Sequence, residues 1–191
     1  MPNVLTTDSL KHWCANREIS RVAIEWKEDV RRWHPGQDWV WEPGGFGVLD
    51  PGINALSIVT DIVSEPIRLI EASMEVPENR TTPIAAVLRM ETTTSTPVVA
   101  EFDWRQTGPQ LWRIRVEDRT GEQYIFAQGG DSASHTAGNA SSALSAEYRA
   151  MYEHFVQLVK AGKSDVDVRP LELIADAHFI GKQLSTEAYF D

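Results

Sequence analysis

Between Trp33 and Ser57 the chain reads WHPGQDWVWEPGGFGVLDPGINALS, which gathers three of its seven tryptophans, a histidine, two aspartates and a paired glycine. That mixture suits a sugar-sized polyol, whose C–H faces pack on flat rings while its hydroxyls need acceptors and donors. His34 can exchange protons near neutrality, and Trp33 offers a stacking face beside it. Asp50 precedes Asn54 by four residues, a spacing that brings both side chains together near a helix N-terminus. The positive end of the helix dipole would hold Asp50 ionised and ready to accept a proton or a hydrogen bond. The same residues also suit plainer roles: Asp50 as a helix cap, Asn54 completing local hydrogen bonds, His34 as a structural or solvated imidazole.

Glu28 adds a second carboxylate. From Ser20 onward Val22, Ile24, Trp26, Glu28 and Val30 share one parity, so a strand here would place Glu28 on its apolar face. An ionised carboxylate there needs a partner, a cleft or a strand end open to water. Trp112 shares a face with Ile114 and Val116 and can be core or a stacking surface. Gly44-Gly45 can pass close to a ligand or simply turn the chain, and His178 is a weaker candidate in the last helix. Glu28, His34, Asp50 and Asn54 fall within one strand–loop–helix unit, where a single concave surface could gather them.

The elements that would position these groups follow from periodicity. Asp50-Pro51-Gly52-Ile53 predicts a helix start, with aspartate as cap and proline at the first helical position; Ile53, Leu56, Val59 and Val63 carry its buried stripe. Strands are expected at Pro66 to Val76, Pro83 to Glu91, Pro97 to Arg105, Leu111 to Asp118 and Gln123 to Gln128, joined by short turns as one antiparallel meander. Gly129 to Ala146 is a Gly, Ser and Ala stretch with little to bury. Two helices close the chain, with stripes at Tyr148, Met151, Tyr152, Phe155, Leu158 and Val159, and at Leu171, Ile174, Ala175 and Phe179. Residues 1–18 are expected as a loosely packed lead-in with a short helix near Leu10 to Ala15, and residues 19–191 as one domain. The fold class is α+β, an open, mainly antiparallel sheet with helices on one face.

The composition restricts partners. A length of 191 residues with 42% apolar content supports a real core. A formal charge of −10, from 28 acidic and 18 basic side chains, disfavours nucleic acid and anionic membrane surfaces. One cysteine, Cys14, excludes an intrachain disulfide, and no Cys/His spacing fits zinc. The first twenty residues hold no apolar run, so a cytoplasmic protein is expected.

The segment PGGFGVLDPGINALSIVTDIV, Pro43 to Val63, resembles the stretch of the glucose-fructose oxidoreductase and inositol dehydrogenase family that leads into its active-site helix. There a glycine-rich run precedes an aspartate, with a histidine usually four residues later. Asp50 matches the aspartate and Asn54 stands in the histidine's place. That exchange, with IEWKEDVRRWHPGQDW, AEFDWRQTGPQLW and GKSDVDVRPLELIADAHFIGK, is similar to the branch that oxidises aldoses, D-galactose or L-arabinose, to lactones. The resemblance implies Asp50 as acid/base or orienting carboxylate and Asn54, its neighbour in the catalytic set, holding a sugar hydroxyl. It implies Glu28 and His34 as ligands of other hydroxyls, and Trp33 and Trp112 as stacking faces. It implies NAD(P) as cofactor and subunit contacts through the open sheet face, hence at least a homodimer, since an uncovered face would leave a large apolar patch in water. The family's dinucleotide-binding Rossmann domain is absent: no G-x-G-x-x-G follows a strand, and no Glu-Lys-Pro motif occurs. The chain is therefore expected to be a substrate-binding and oligomerisation domain that binds no NAD(P) and is inactive alone. The alternative is a non-catalytic sugar-binding or oligomerisation module.

Overall fold

The computed structural model describes residues 7–127, 149 and 151–190. The chain divides into two units, Met1–Gly130 with Arg169–Asp191, and Asp131–Val168. The larger unit runs α1 (Thr7–Ala15), β1 (Ile19–Lys27), α2 (Val30–Trp33), a 3-10 turn (Asp38–Trp41), α3 (Leu49–Ile62), β2 (Ile67–Pro77), β3 (Ala85–Thr92), β4 (Pro97–Asp103), β5 (Leu111–Asp118) and β6 (Gln123–Ala127). The smaller unit holds helix α4, residues 151–161. The larger unit then resumes with α5 (Arg169–Ile180) and β7 (Lys182–Thr186).

The strands form one sheet in the order β6-β5-β1-β4-β3-β2-β7, an α+β fold whose pairs are antiparallel except β1 with β4 and β2 with β7. The meander expected from the short turns is therefore interrupted, because β1 lies between β4 and β5. Trp26 of β1 sits opposite Phe102 on one side and Trp112 on the other, and both edges of β1 are used by ladders. Alternation along a strand shows which face its residues take but not which strand lies beside it. β7 was not foreseen: its KQLST sequence is exposed at all but its last position, as suits an edge strand.

Helices α1, α3 and α5 pack together and against the sheet. Leu56 and Val59 of the expected α3 stripe are buried, with Ala55 and Ile62 beside them. α3 opens at Leu49 rather than after a capping Asp50. Gly47, in the left-handed region at φ +55°, turns its carbonyl to accept the Asp50 amide, so Asp50 lies within the first turn and no side chain caps the helix. The loosely packed lead-in does not hold over α1: Leu10 and Cys14 are buried in the core. Val30, read as the end of the first strand, instead opens α2 behind the Asp29 cap. In α5 the buried set is Pro170, Leu173, Ile174 and Ala177, whereas Leu171 and Phe179 are exposed.

The opposite face of the sheet is not the continuous apolar patch expected. Arg113 pairs with Glu25, Lys27 with Glu101, Arg105 with Glu75 and Arg68 with Glu91, so ionic pairs lace it. In the smaller unit Met151, Tyr152, Phe155 and Val159 of α4 are exposed, and His154 pairs with Asp165. Tyr148 and the stretch Gly129 to Ala146 lie outside the described residues.

Candidate functional site

The insertion of β1 concentrates tryptophans around one carboxylate. Backbone bonds carry the β1–β4 pairing past the last ladder residue: the Glu28 amide donates to Asp103 O at 2.8 Å and the Val30 amide to Trp104 O at 3.1 Å. Glu28 and Trp104 are thus held side by side, with Trp112 across on β5. Glu28, only 2% exposed, accepts an indole N–H from each of three rings: Trp26 and Trp112 at Oε2, 3.0 and 2.9 Å, and Trp104 at Oε1, 3.1 Å. Three donors on a carboxylate with about four acceptor positions leave one open, on Oε1. Burial pushes the Glu28 carboxyl above its ordinary range, and the indole donors, then His34, pull against it.

His34 lies against the same oxygen. Its Nε2 is 3.8 Å from Glu28 Oε1, its ring centroid 5.0 Å from that of Trp104, and its Nδ1 3.2 Å from Gln37 Oε1, a contact that fits an N–H on Nδ1. Trp112 stacks on Trp26 at 4.8 Å and meets Trp33 at 4.9 Å, while Trp41 abuts Trp104 edge-on at 5.2 Å. Trp33 is 39% exposed at the rim. The floor is stapled from the β4–β5 loop by Gln110, whose Oε1 accepts the Asp29 amide and the Trp33 indole N–H and whose amide nitrogen donates to the Gln106 and Gly108 carbonyls.

Asp50 and Asn54 are carried by α3 rather than by the sheet. Between them on α3, Gly52 rests on Phe102: a Cβ there would come within 3.2 Å of the ring. Phe102 shares the sheet face of Trp26 and Trp104, so the first turns of α3 overlie this end of the sheet. At about 100° per residue, Asp50 and Asn54 both fall on the side of α3 away from Gly52. Asp50 is half-buried and Asn54 exposed, and among the described residues no hydrogen bond or ion pair joins either to Glu28 or His34. The structure therefore brings Glu28, His34, Trp33 and Trp112 into contact, while Asp50 and Asn54 sit on the helix that overlies this end of the sheet.

Gly44-Gly45 serves the chain's own turn. A Cβ at Gly45 would lie 2.6 Å from the Trp39 carbonyl oxygen, and one at Gly47 2.3 Å from that of Pro83. The close backbone approaches that Gly45 and Gly47 permit are thus filled by the chain's own carbonyls. His178 is partly buried beside Phe46, ring centroids 6.4 Å apart, and burial lowers its pKa. Among the described residues no group of His, Cys, Asp and Glu could hold a metal ion, and no helix is long and apolar enough to cross a membrane.

Trp26, Trp104, Gln37 and Gln110 were missed as site residues. Trp26 carried a visible signal, since it shares the buried parity of β1 with Glu28; Trp104 only continues the buried parity of Val98, Ala100 and Phe102 on β4. Only the strand order shows that they converge.

No family model matches the chain. The galactose 1-dehydrogenase of Pseudomonas fluorescens is 44% identical over 181 residues, which cover 95% of this chain and 59% of that protein. The crystal structure of D-galactose-1-dehydrogenase from Rhizobium etli superposes with a TM-score of 0.83 at 42% identity, over 96% of this chain and 59% of that one. GenD2 from gentamicin A biosynthesis, in complex with NAD, shares the fold at a TM-score of 0.70 and 14% identity, over 91% and 57%. The chain spans about three-fifths of the length of these relatives. With its seven-stranded sheet and one-sided helices, it belongs to the glucose-fructose oxidoreductase and inositol dehydrogenase family, as that family's carboxyl-terminal domain.

Proposed function

We propose that the chain is the substrate-binding part of an NAD(P)-dependent aldose 1-dehydrogenase that converts D-galactose or L-arabinose to the lactone. The observation that carries this reading is the pairing of Glu28 Oε1 with His34 beside a tryptophan floor, at the end of the sheet that α3 overlies. A ring hydroxyl can hydrogen-bond both groups at once, while Trp112 and Trp33 offer faces for the sugar's C–H surface. Oxidation at the anomeric carbon removes the hydroxyl proton as hydride leaves. Asp50, half-buried and without a side-chain partner among the described residues, takes that proton, and Asn54 one turn later orients a neighbouring hydroxyl. The hydride acceptor would be held by the share of the longer relatives that this chain does not span. The chain alone then binds no NAD(P) and is inactive alone.

A homodimer through the open sheet face is part of the proposal. Its support is that the helices of the larger unit cover the other face, and that the open face's charges are already paired within the chain. The cytoplasm remains the proposed compartment, on the single free, buried cysteine.

Calorimetric titration with D-galactose, L-arabinose and NAD, each separately, tests the reading. Saturable sugar binding without nucleotide binding supports it; no binding of either sugar would leave an assembly module. In a complete dehydrogenase carrying this domain, Asp50→Asn should lower kcat about a hundredfold or more, as loss of a general base does.

A further inference from the structure

Trp104 touches both polar groups of the candidate site. It is fully buried. Its indole N–H donates to Glu28 Oε1 at 3.1 Å, its ring faces His34 at 5.0 Å, and the edge-on ring of Trp41 backs it at 5.2 Å. Its backbone is tied on both sides, the amide to Ile84 O at 3.0 Å and the carbonyl to the Val30 amide at 3.1 Å. Trp41 is tied in turn by Thr81, whose hydroxyl donates to its carbonyl at 2.6 Å. The ring is therefore fixed before any ligand arrives.

The two oxygens of Glu28 are not equivalent. Oε2 takes two indole donors, from Trp26 and Trp112, which fill its acceptor positions and anchor one side of the carboxylate. Oε1 takes one donor, from Trp104, and is the oxygen that faces His34. The direction of the remaining lone pair on Glu28 is thus set by Trp104. The separation of that lone pair from the imidazole is set by the same ring, packed against His34.

We propose that Trp104 is a positioning residue: it aims the free acceptor of Glu28 Oε1 at a ligand hydroxyl beside His34, so that the pair reads one hydroxyl of the sugar. This rests on the aldose reading above for its ligand, but not for its geometry. A merely structural tryptophan would fill volume, and loss of its N–H alone would leave the Glu28–His34 pair in place.

The test compares Trp104→Phe with Trp39→Phe and Glu28→Gln in the full chain, by heteronuclear spectra of the indole N–H groups and the His34 ring and by sugar calorimetry. In Trp104→Phe the indole resonances of Trp26 and Trp112 should stay near their wild-type positions while the His34 ring signals move. Galactose affinity should fall about tenfold, the effect of losing one hydrogen bond that orients a charged acceptor. Trp39→Phe should keep affinity within about twofold, since that half-exposed ring gives Glu28 no hydrogen bond. If the His34 signals do not move, or if Trp26 and Trp112 shift as far as they do in Glu28→Gln, the proposal is wrong. If the wild-type chain binds no aldose, the aldose reading fails, while the spectra still decide the positioning role. Should the phenylalanine variant not fold, benzothienylalanine at position 104 retains the bicyclic ring and removes only the N–H, and the same outcomes apply.

Discussion

Two carboxylates at one end of the sheet have opposite surroundings. Glu28 is buried and accepts three indole N–H donors; Asp50, on the first turn of α3, is half-buried and has no side-chain partner among the described residues. A buried carboxylate with nearly all its lone pairs engaged holds a structure together and has little freedom left for proton transfer. An open one contributes little to folding and is free for chemistry. Cys14, at the far end near an open cleft of about 540 Å³ lined by Lys11, Arg17 and Glu65, is a third case: a buried acid whose thiol burial pushes up to about 11, with Arg17 opposing.

Replacing each acid in turn separates the three. Glu28→Ala strands three buried indole donors and should lower the unfolding free energy by about 4 kcal/mol in urea titrations. Cys14 acts through pH. Its folded value lies above the unfolded one, so its contribution is fully present below about pH 9 and is lost as pH rises toward about 11, amounting to about 2.5 kcal/mol. Denaturation across that range should show this slope in the native chain and a shallower one in Cys14→Ala; part survives because Tyr124 is also raised by burial. Glu28→Gln retains the shape but turns an NH2 toward indole donors, and should lose about 2 kcal/mol. Asp50→Asn should change stability by less than about 0.5 kcal/mol, the range of a surface substitution. A large loss there would erase the distinction between the two carboxylates.

How much of this was legible in the sequence follows the same division. Local features were visible: the α3 stripe at Leu56 and Val59, the alternation that marks β4 and β5, and Glu28 on the buried face of β1. Asp50 was misplaced by two positions because Gly47, not an acidic cap, turns the chain into the helix. α1 was underrated because Leu10 and Cys14 are few among polar neighbours, and β7 because an exposed edge strand need not alternate. The strand order was hidden for a deeper reason. Short turns suggest neighbours, but β1 enters the sheet from far away in sequence, and period-two patterning is silent about which edge it joins. The candidate site depends on that hidden step, since Trp104 and Trp112 reach Glu28 only when β1 separates β4 from β5.

Hydrogen exchange at the indole N–H groups, resolved for each tryptophan, tests this most directly. The account predicts slow exchange at Trp26, Trp104 and Trp112, rapid exchange at half-exposed Trp39, and acceleration of all three slow sites together in Glu28→Gln. Exchange at Trp26, Trp104 or Trp112 as fast as at Trp39 in the native chain would contradict it.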